Sequence, residues 1–285
     1  MTRRDIIEKL REHGIEAVEK DCVKNGVVFE AIMLPTGRNI APVIYTDELI
    51  DQAERKGLDL EDVIEEILQI YDERKDETFD VDRLLNKEWM LEHLVVGFQR
   101  QSKEELVKRD SGFTGIEMYM YVCENRNLSE TFCVKVTEDL LESAGVNESE
   151  AWNAAISHTC EDVTVESLKE VLEEQCGTLL WEENELIDMY IVSNRRRVHG
   201  ASAVLNKKKL ENLAKVYGVK QLVLLPSSVH EMLVVPYADE QWNIHDLSEM
   251  VKEVNEQQVA KEEQLADQAY LVTFLNENCV IGSLV

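Results

Sequence analysis

The chain is 285 residues long and carries 57 acidic against 30 basic side chains, a formal charge of −27. That length suffices for about two domains of ~150 residues or one large one. The charge disfavours non-specific adherence to nucleic acid or anionic membrane, because both demand a dominant basic surface. With 44% hydrophobic residues, 12 Gly and 4 Pro, the composition is that of a folded globular protein and argues against a disordered acidic tail.

The opening stretch Met1–Leu10 is basic but lacks the apolar core of a signal peptide, and charges interrupt every long apolar stretch, so a cytosolic protein is expected. Ile6, Ile7, Leu10 and Ile15 lie near helical spacing and predict a short amphipathic helix ending near Gly14. Two strand-like runs, Ala17–Val23 and Val27–Leu34, flank Asn25-Gly26, a strong hairpin signal because both residues tolerate positive φ. Arg38–Tyr45 reads as a third extended piece, with Pro42 favouring an edge or a strand end. Thr46 and Asp59 can cap two helices, the second carrying Leu60, Val63, Ile64, Ile67, Leu68 and Tyr71 on one face and a stripe of acids on the other. The polar stretch Asp72–Asp82 is the best linker candidate, which places a boundary near residue 88 and gives residues 1–88 and 89–285.

The second part opens with an apolar run, Leu91–Phe98. Ile116–Cys123 alternates with strand periodicity, and the turn Glu124–Asn127 leads back into Thr131–Val136 as a second hairpin. Thr137, Asn147 and Thr164 can each cap a helix, Asn147 with Glu150 at capping-box spacing. Met189–Val192 is a predicted strand and Asn206–Tyr217 a helix closed by Gly218. Gln221–Leu225 and Val229–Val235 read as strands covered on both faces, Leu247–Val254 as a helix and Tyr270–Phe274 as a closing strand. Strands and helices mix without strict βαβ alternation, so the expected class is α+β: a helix, hairpin and helices first, then a larger mixed-sheet domain with covering helices.

Motifs for chemistry are sparse. No phosphate loop, dinucleotide fingerprint or H-E-x-x-H is present, and no cofactor is expected. His158-Thr-Cys160 with a distant Cys176 is a weak metal pattern, better explained by buried helix-end residues. The six cysteines lie apart without a C-x-x-C pair, and reduced, mostly buried thiols are expected. Gly200–Val204 resembles a nucleophile elbow, but Val204 stands where a second glycine must permit the tight turn.

In an extended strand Ser228 and His230 would lie about 7 Å apart with Glu231 on the opposite face, which rules against a local triad. Glu231 would share its face with Val229, Leu233 and Val235, so it reads either as a site at a strand end or as a carboxylate paired to Arg or capping a neighbouring element. Arg195-Arg-Arg197 with His199 precedes an expected helical start at Gly200, and Lys207-Lys-Lys209 follows. Arg195, Arg197, His199 and Ser202, with His230 and Glu231, could bind a phosphate or carboxylate there. The alternative is internal pairing of the arginines with the chain's own acids. A continuous acidic surface imitating nucleic acid is a third reading.

Ile191–Asn194, Gly200–Leu205, Leu224–Glu231 and Met250–Val259, with Arg38–Tyr45 as an N-terminal signature, resemble the domain-of-unknown-function 5688 family. The resemblance implies a protein of anaerobic Gram-positive bacteria, often carried on mobile elements, and implies no chemistry. The order of elements is also similar to a second uncharacterised family of related bacteria. Together these readings predict a cytosolic binding or accessory protein with a protein partner, ahead of an enzyme or sensor for a small anion, and with no direct nucleic-acid or membrane contact. Arg38 and Asn39 have no role in this reading beyond turn formation after Gly37.

Overall fold

In the computed structural model, which describes residues 1–125, 131–176, 188–238, 243–275 and 278–283, the chain divides into two compact units, Met1–Asp82 and Arg83–Val285. Among the described residues no helix is long and apolar enough to cross a membrane. The fold is mixed α+β, and among the described residues every strand pairing is antiparallel.

The first unit begins with α1 (Arg3–Glu12), whose N-cap Thr2 and N3 residue Asp5 satisfy each other's backbone N–H groups in a capping box. β1 (Val18–Lys24) and β2 (Val27–Met33) form the hairpin that Asn25-Gly26 predicts, with φ of 51° and 77° at the turn. Of the expected extended piece Arg38–Tyr45 only β3 (Val43–Tyr45) pairs, on the free edge of β2. α2 (Thr46–Lys56) is not capped by Thr46. That hydroxyl is fully buried and donates to Glu30 O at 3.0 Å, so it ties the helix start to β2 while Tyr45 holds the cap position. α3 (Leu60–Arg74) does start at Asp59, which forms a capping box with Asp62. Its Val63, Ile64 and Ile67 pack with Ile6, Leu10, Ile32 and Leu34 into a core closed to solvent. Each such side chain contributes about 1.5–3 kcal/mol relative to exposure.

Arg38 and Asn39 gain a physical role here. The Asn39 amide donates to Phe79 O and accepts from Phe79 N–H at 3.1 Å, and Arg38 lies 3.3 Å from Asp76. The loop after Gly37 thereby fastens the stretch that follows α3. Asn39→Ala is expected to cost about 1 kcal/mol, the worth of an exposed backbone-pairing side chain, read as a lower urea midpoint together with faster proteolysis near Phe79.

The short helix α4 (Val81–Leu84) leads into the second unit, where α5 (Lys87–His93), capped by Asn86, runs directly into β4 (Leu94–Arg100). The apolar run Leu91–Phe98 therefore splits between a helix end and a strand. β5 (Lys108–Asp110), β6 (Ile116–Asn125) and β7 (Thr131–Lys135) complete a four-stranded sheet in which β6 pairs with all three others. The turn expected at Glu124–Asn127 falls partly outside the described residues.

After α6 (Glu138–Ser143) and α7 (Glu148–Glu161), Thr164 opens not a helix but β8 (Thr164–Ser167). Its hydroxyl donates to Ser193 O at 3.2 Å, binding it to the neighbouring strand, and α8 (Leu168–Cys176) begins only afterwards. There follow β9 (Tyr190–Ser193), a 3₁₀ helix (Gly200–Leu205), α9 (Lys207–Val216), β10 (Gln221–Ser228), β11 (Glu231–Tyr237) and α10 (Ile244–Gln258). β12 (Tyr270–Leu275) is not the closing strand, because β13 (Asn278–Ser283) pairs beyond it. These strands form a six-stranded sheet in the order β13-β12-β10-β11-β9-β8. Leu222, Val223, Leu224 and Leu225 are all buried, so β10 is covered on both faces.

Candidate functional site

The Asn194 side chain ties the segment between β9 and the 3₁₀ helix back onto itself. Asn194 donates to Val198 O at 2.8 Å and accepts from Val198 N–H at 3.2 Å, while Arg197 N–H donates to Asn194 O at 3.0 Å. Within this wrapped loop Arg197 and His199 both adopt left-handed backbone conformations, φ 52° and 50°, each costing of order 1 kcal/mol that the surrounding bonds must offset. The loop brings His199 against two rings: its centroid lies 5.5 Å from Tyr121 of β6 and 5.5 Å from His230.

His230 sits in the turn between β10 and β11 rather than on an extended strand. Its N–H donates to Ser228 Oγ at 3.0 Å, so the serine serves the backbone and not the imidazole. His230 Nδ1 accepts from His199 N–H at 3.1 Å, which assigns the ring proton to Nε2, facing Glu263 Oε1 at 3.3 Å. Nδ1 thus holds the loop, while Nε2 is engaged by Glu263 beyond α10. Glu231 is the first residue of β11 and only half-buried, so it is not the fully buried acid that a covered strand face would make it.

Arg195 Nε lies 3.3 Å from Asp162 Oδ1, and an Arg197 terminal nitrogen lies 2.7 Å from Glu166 of β8. Both are the internal pairings named as the alternative to an anion site. Ser202 is buried and donates to Val96 O at 2.6 Å, away from the two arginines. The start of the 3₁₀ helix is likewise filled: His199 N–H donates to His230 and Ala201 N–H to Val229 O. So His199 and His230 come together, whereas Arg195, Arg197 and Ser202 pair with Asp162, Glu166 and Val96 O instead. A small cavity of about 30 Å³ beside Tyr121, Thr159, Asp162 and Ser202 has room for about one water. His158 Nδ1 lies 2.9 Å from Leu94 O, and among the described residues no three His, Cys, Asp or Glu side chains converge as a metal site.

A larger cleft opens elsewhere in the same unit. It measures about 340 Å³, and its wall is Phe113, Val204, Leu205, Leu210, Val272 and Ile281, with Asp110, Ser111 and Lys207 supplying polar groups. The Asp110 carboxylate is already used, accepting from Gly112 N–H at 2.9 Å, and Ser111 donates to Ile116 O at 2.6 Å. Lys207 is exposed and opens α9, whose first turn carries Lys207, Lys208 and Lys209 and no acid. Three cations at the positive end of a helix dipole repel it and one another, an arrangement that a bound anion relieves.

Residues 3–272 match the sequence profile of a family of unknown function, DUF5688. The chain belongs to this family. No curated protein and no solved structure matches it. In this DUF5688 chain neither the cleft nor a second polar cluster was visible in local sequence pattern. In that cluster Glu117 of β6, with a side chain only 13% exposed, accepts from Gln99 at 2.8 Å and Ser102 at 3.0 Å and lies 3.1 Å from Lys108.

Burial pushes the Glu117 carboxyl up, but the bonds from Gln99, Lys108 and Ser102 outweigh it and hold the group below the usual carboxylate range. A depressed folded value gives stability that is complete above the unfolded carboxylate range and is lost as pH falls through the folded value. Glu117→Gln is therefore expected to lower stability by about 2 kcal/mol at neutral pH and to flatten the loss of stability below about pH 4, measured by urea unfolding across pH 3–7.

Proposed function

We propose that this protein is a ligand-binding accessory protein whose ligand is a small molecule with an apolar body and one anionic group. The observation that carries the reading is the cleft of about 340 Å³, walled by six apolar side chains and edged by Lys207. Its volume lies within the ~300–1,000 Å³ typical of small-molecule sites, and an apolar lining with few polar groups is their usual chemistry. The lysines of the first turn of α9 supply the anion preference in a chain otherwise strongly negative. An accessory role on bacterial mobile elements goes with this reading through the family resemblance, and a cytosolic location through the charged interruption of every long apolar stretch. A protein partner that responds to the loaded state completes the role.

A thermal-shift panel of amphipathic carboxylates, sulfonates and phosphates tests the proposal. A ligand at a hundredfold excess over its Kd adds about 2.7 kcal/mol. The expected result is stabilisation by compounds that combine both features, absent in Leu205→Trp, which fills the cleft from a half-buried wall position, and weakened about tenfold in Lys207→Glu. Stabilisation unchanged in Leu205→Trp, or none with any compound, would overturn it.

A further inference from the structure

The register of β6 and β7 sets Cys123 directly opposite Cys133, with the two sulfurs 3.6 Å apart and Cys133 Sγ–H donating to Cys123. The pairing belongs to the closer of the two kinds in an antiparallel ladder. Val136 N–H donates to Met120 O at 2.9 Å, which makes 120/136 the hydrogen-bonded pair. Strict alternation then makes 121/135 and 123/133 non-hydrogen-bonded, where opposed side chains approach most closely. A pair so placed falls within the Cα separation of ~4.4–6.8 Å that a disulfide spans, and closing the gap to ~2.05 Å needs only side-chain rotation. Both residues reach solvent, Cys133 exposed and Cys123 half-buried.

We propose that Cys123 and Cys133 form a redox-active dithiol that closes to a cross-strand disulfide by exchange with low-molecular-weight disulfides. The reaction follows from the local charges. The hydrogen bond from Cys133 holds the Cys123 thiol below its usual range, against the opposing effect of burial, and the Arg196 guanidinium helps while Asp162 opposes. The same bond, with burial, keeps the proton on Cys133. Cys123 is accordingly the attacking thiolate. It displaces one RS⁻ from RS–SR and leaves a Cys123–S–SR mixed disulfide. The departing thiolate takes up the proton of Cys133, whose sulfur then attacks Cys123 Sγ and expels the second RS⁻, protonated from solvent by the proton that Cys123 had released. In sum, two cysteine thiols and one RS–SR give one protein disulfide and two RSH. The role is independent of the cleft.

The test is incubation of the native protein in glutathione buffers of graded redox poise, followed by acid quenching, alkylation and peptide mapping. The expected product is a Cys123–Cys133 link formed ahead of any other pair among the six cysteines and reversed by a dithiol reductant. Cys133→Ser is expected to stop at a Cys123–glutathione adduct, and Arg196→Ala to slow the first step about threefold or more. The proposal is overturned if both cysteines stay alkylatable at the rate of Cys22 and Cys160, or if the link forms in folded protein no faster than in protein unfolded by urea.

Discussion

Gly200→Ala is expected to be the most damaging single-methyl change in the second unit, costing about 3 kcal/mol or more and leaving little folded protein at 37 °C. A Cβ at this position would lie 2.2 Å from Ser193 Oγ and 2.7 Å from both Asn194 N and His230 O. Two of these atoms are backbone, so no rotamer change relieves the overlap. The third, Ser193 Oγ, is fully buried and donates to His230 O at 2.7 Å, and moving it breaks that bond. The clash therefore pushes apart β9, the 3₁₀ helix and the β10–β11 turn. Gly145→Ala is the matched control: nothing lies within 4 Å of its added carbon, and only its φ of +65° opposes the change, at about 1 kcal/mol. Urea midpoints of the two variants rank them. Equal losses would mean that the contact at Gly200 is looser than its geometry.

The second large effect is at Trp152. This indole is fully buried on α7, donates from Nε1 to Glu148 Oε1 at 3.1 Å, and lies under the Arg109 guanidinium at 4.8 Å from the ring centroid. Arg109 in turn pairs with Glu148 at 3.2 Å. Trp152→Ala removes the largest fully buried side chain among the described residues and its volume, an expected loss of about 3–5 kcal/mol. Trp152→Phe retains most of the apolar contact but gives up the indole donor and part of the cation–π attraction, for about 1–2 kcal/mol. Both are read from equilibrium unfolding. A loss as large in the Phe variant as in the Ala variant would place the energy in the polar contacts instead of in packing.

Features set by neighbours in sequence were legible. The Asn25-Gly26 turn needs positive φ at both residues and has it, and the Asp59 capping box closes within one helical turn. Where a residue's partner lies far along the chain, local pattern misled. Thr46 and Thr164 have the chemistry of caps, yet their hydroxyls serve Glu30 O and Ser193 O in neighbouring strands. Asn39 looked like a turn residue because its partner, Phe79, lies forty residues on.

The candidate sites follow the same logic. Arg195 to Arg197 stood out as charge, but the acids that pair with Arg195 and Arg197 come from the C-cap of α7 and from β8. The cleft draws on Phe113, Leu205 and Ile281, residues too far apart for any periodicity to connect, and the lysines beside it were visible only as a basic run. The Cys123–Cys133 pairing was within reach, since both cysteines lie on the two strands of one predicted hairpin and only its register was missing.

The most direct measurement is a titration of the native protein with anilinonaphthalene sulfonate, an apolar anion of suitable size, by fluorescence and by calorimetry for stoichiometry. One saturable site is expected, about tenfold weaker in Lys207→Glu and absent in Leu205→Trp at unchanged Tm. Undiminished binding in a folded Leu205→Trp protein would contradict the claim that the cleft between Phe113, Leu205 and Ile281 is where this protein takes its ligand.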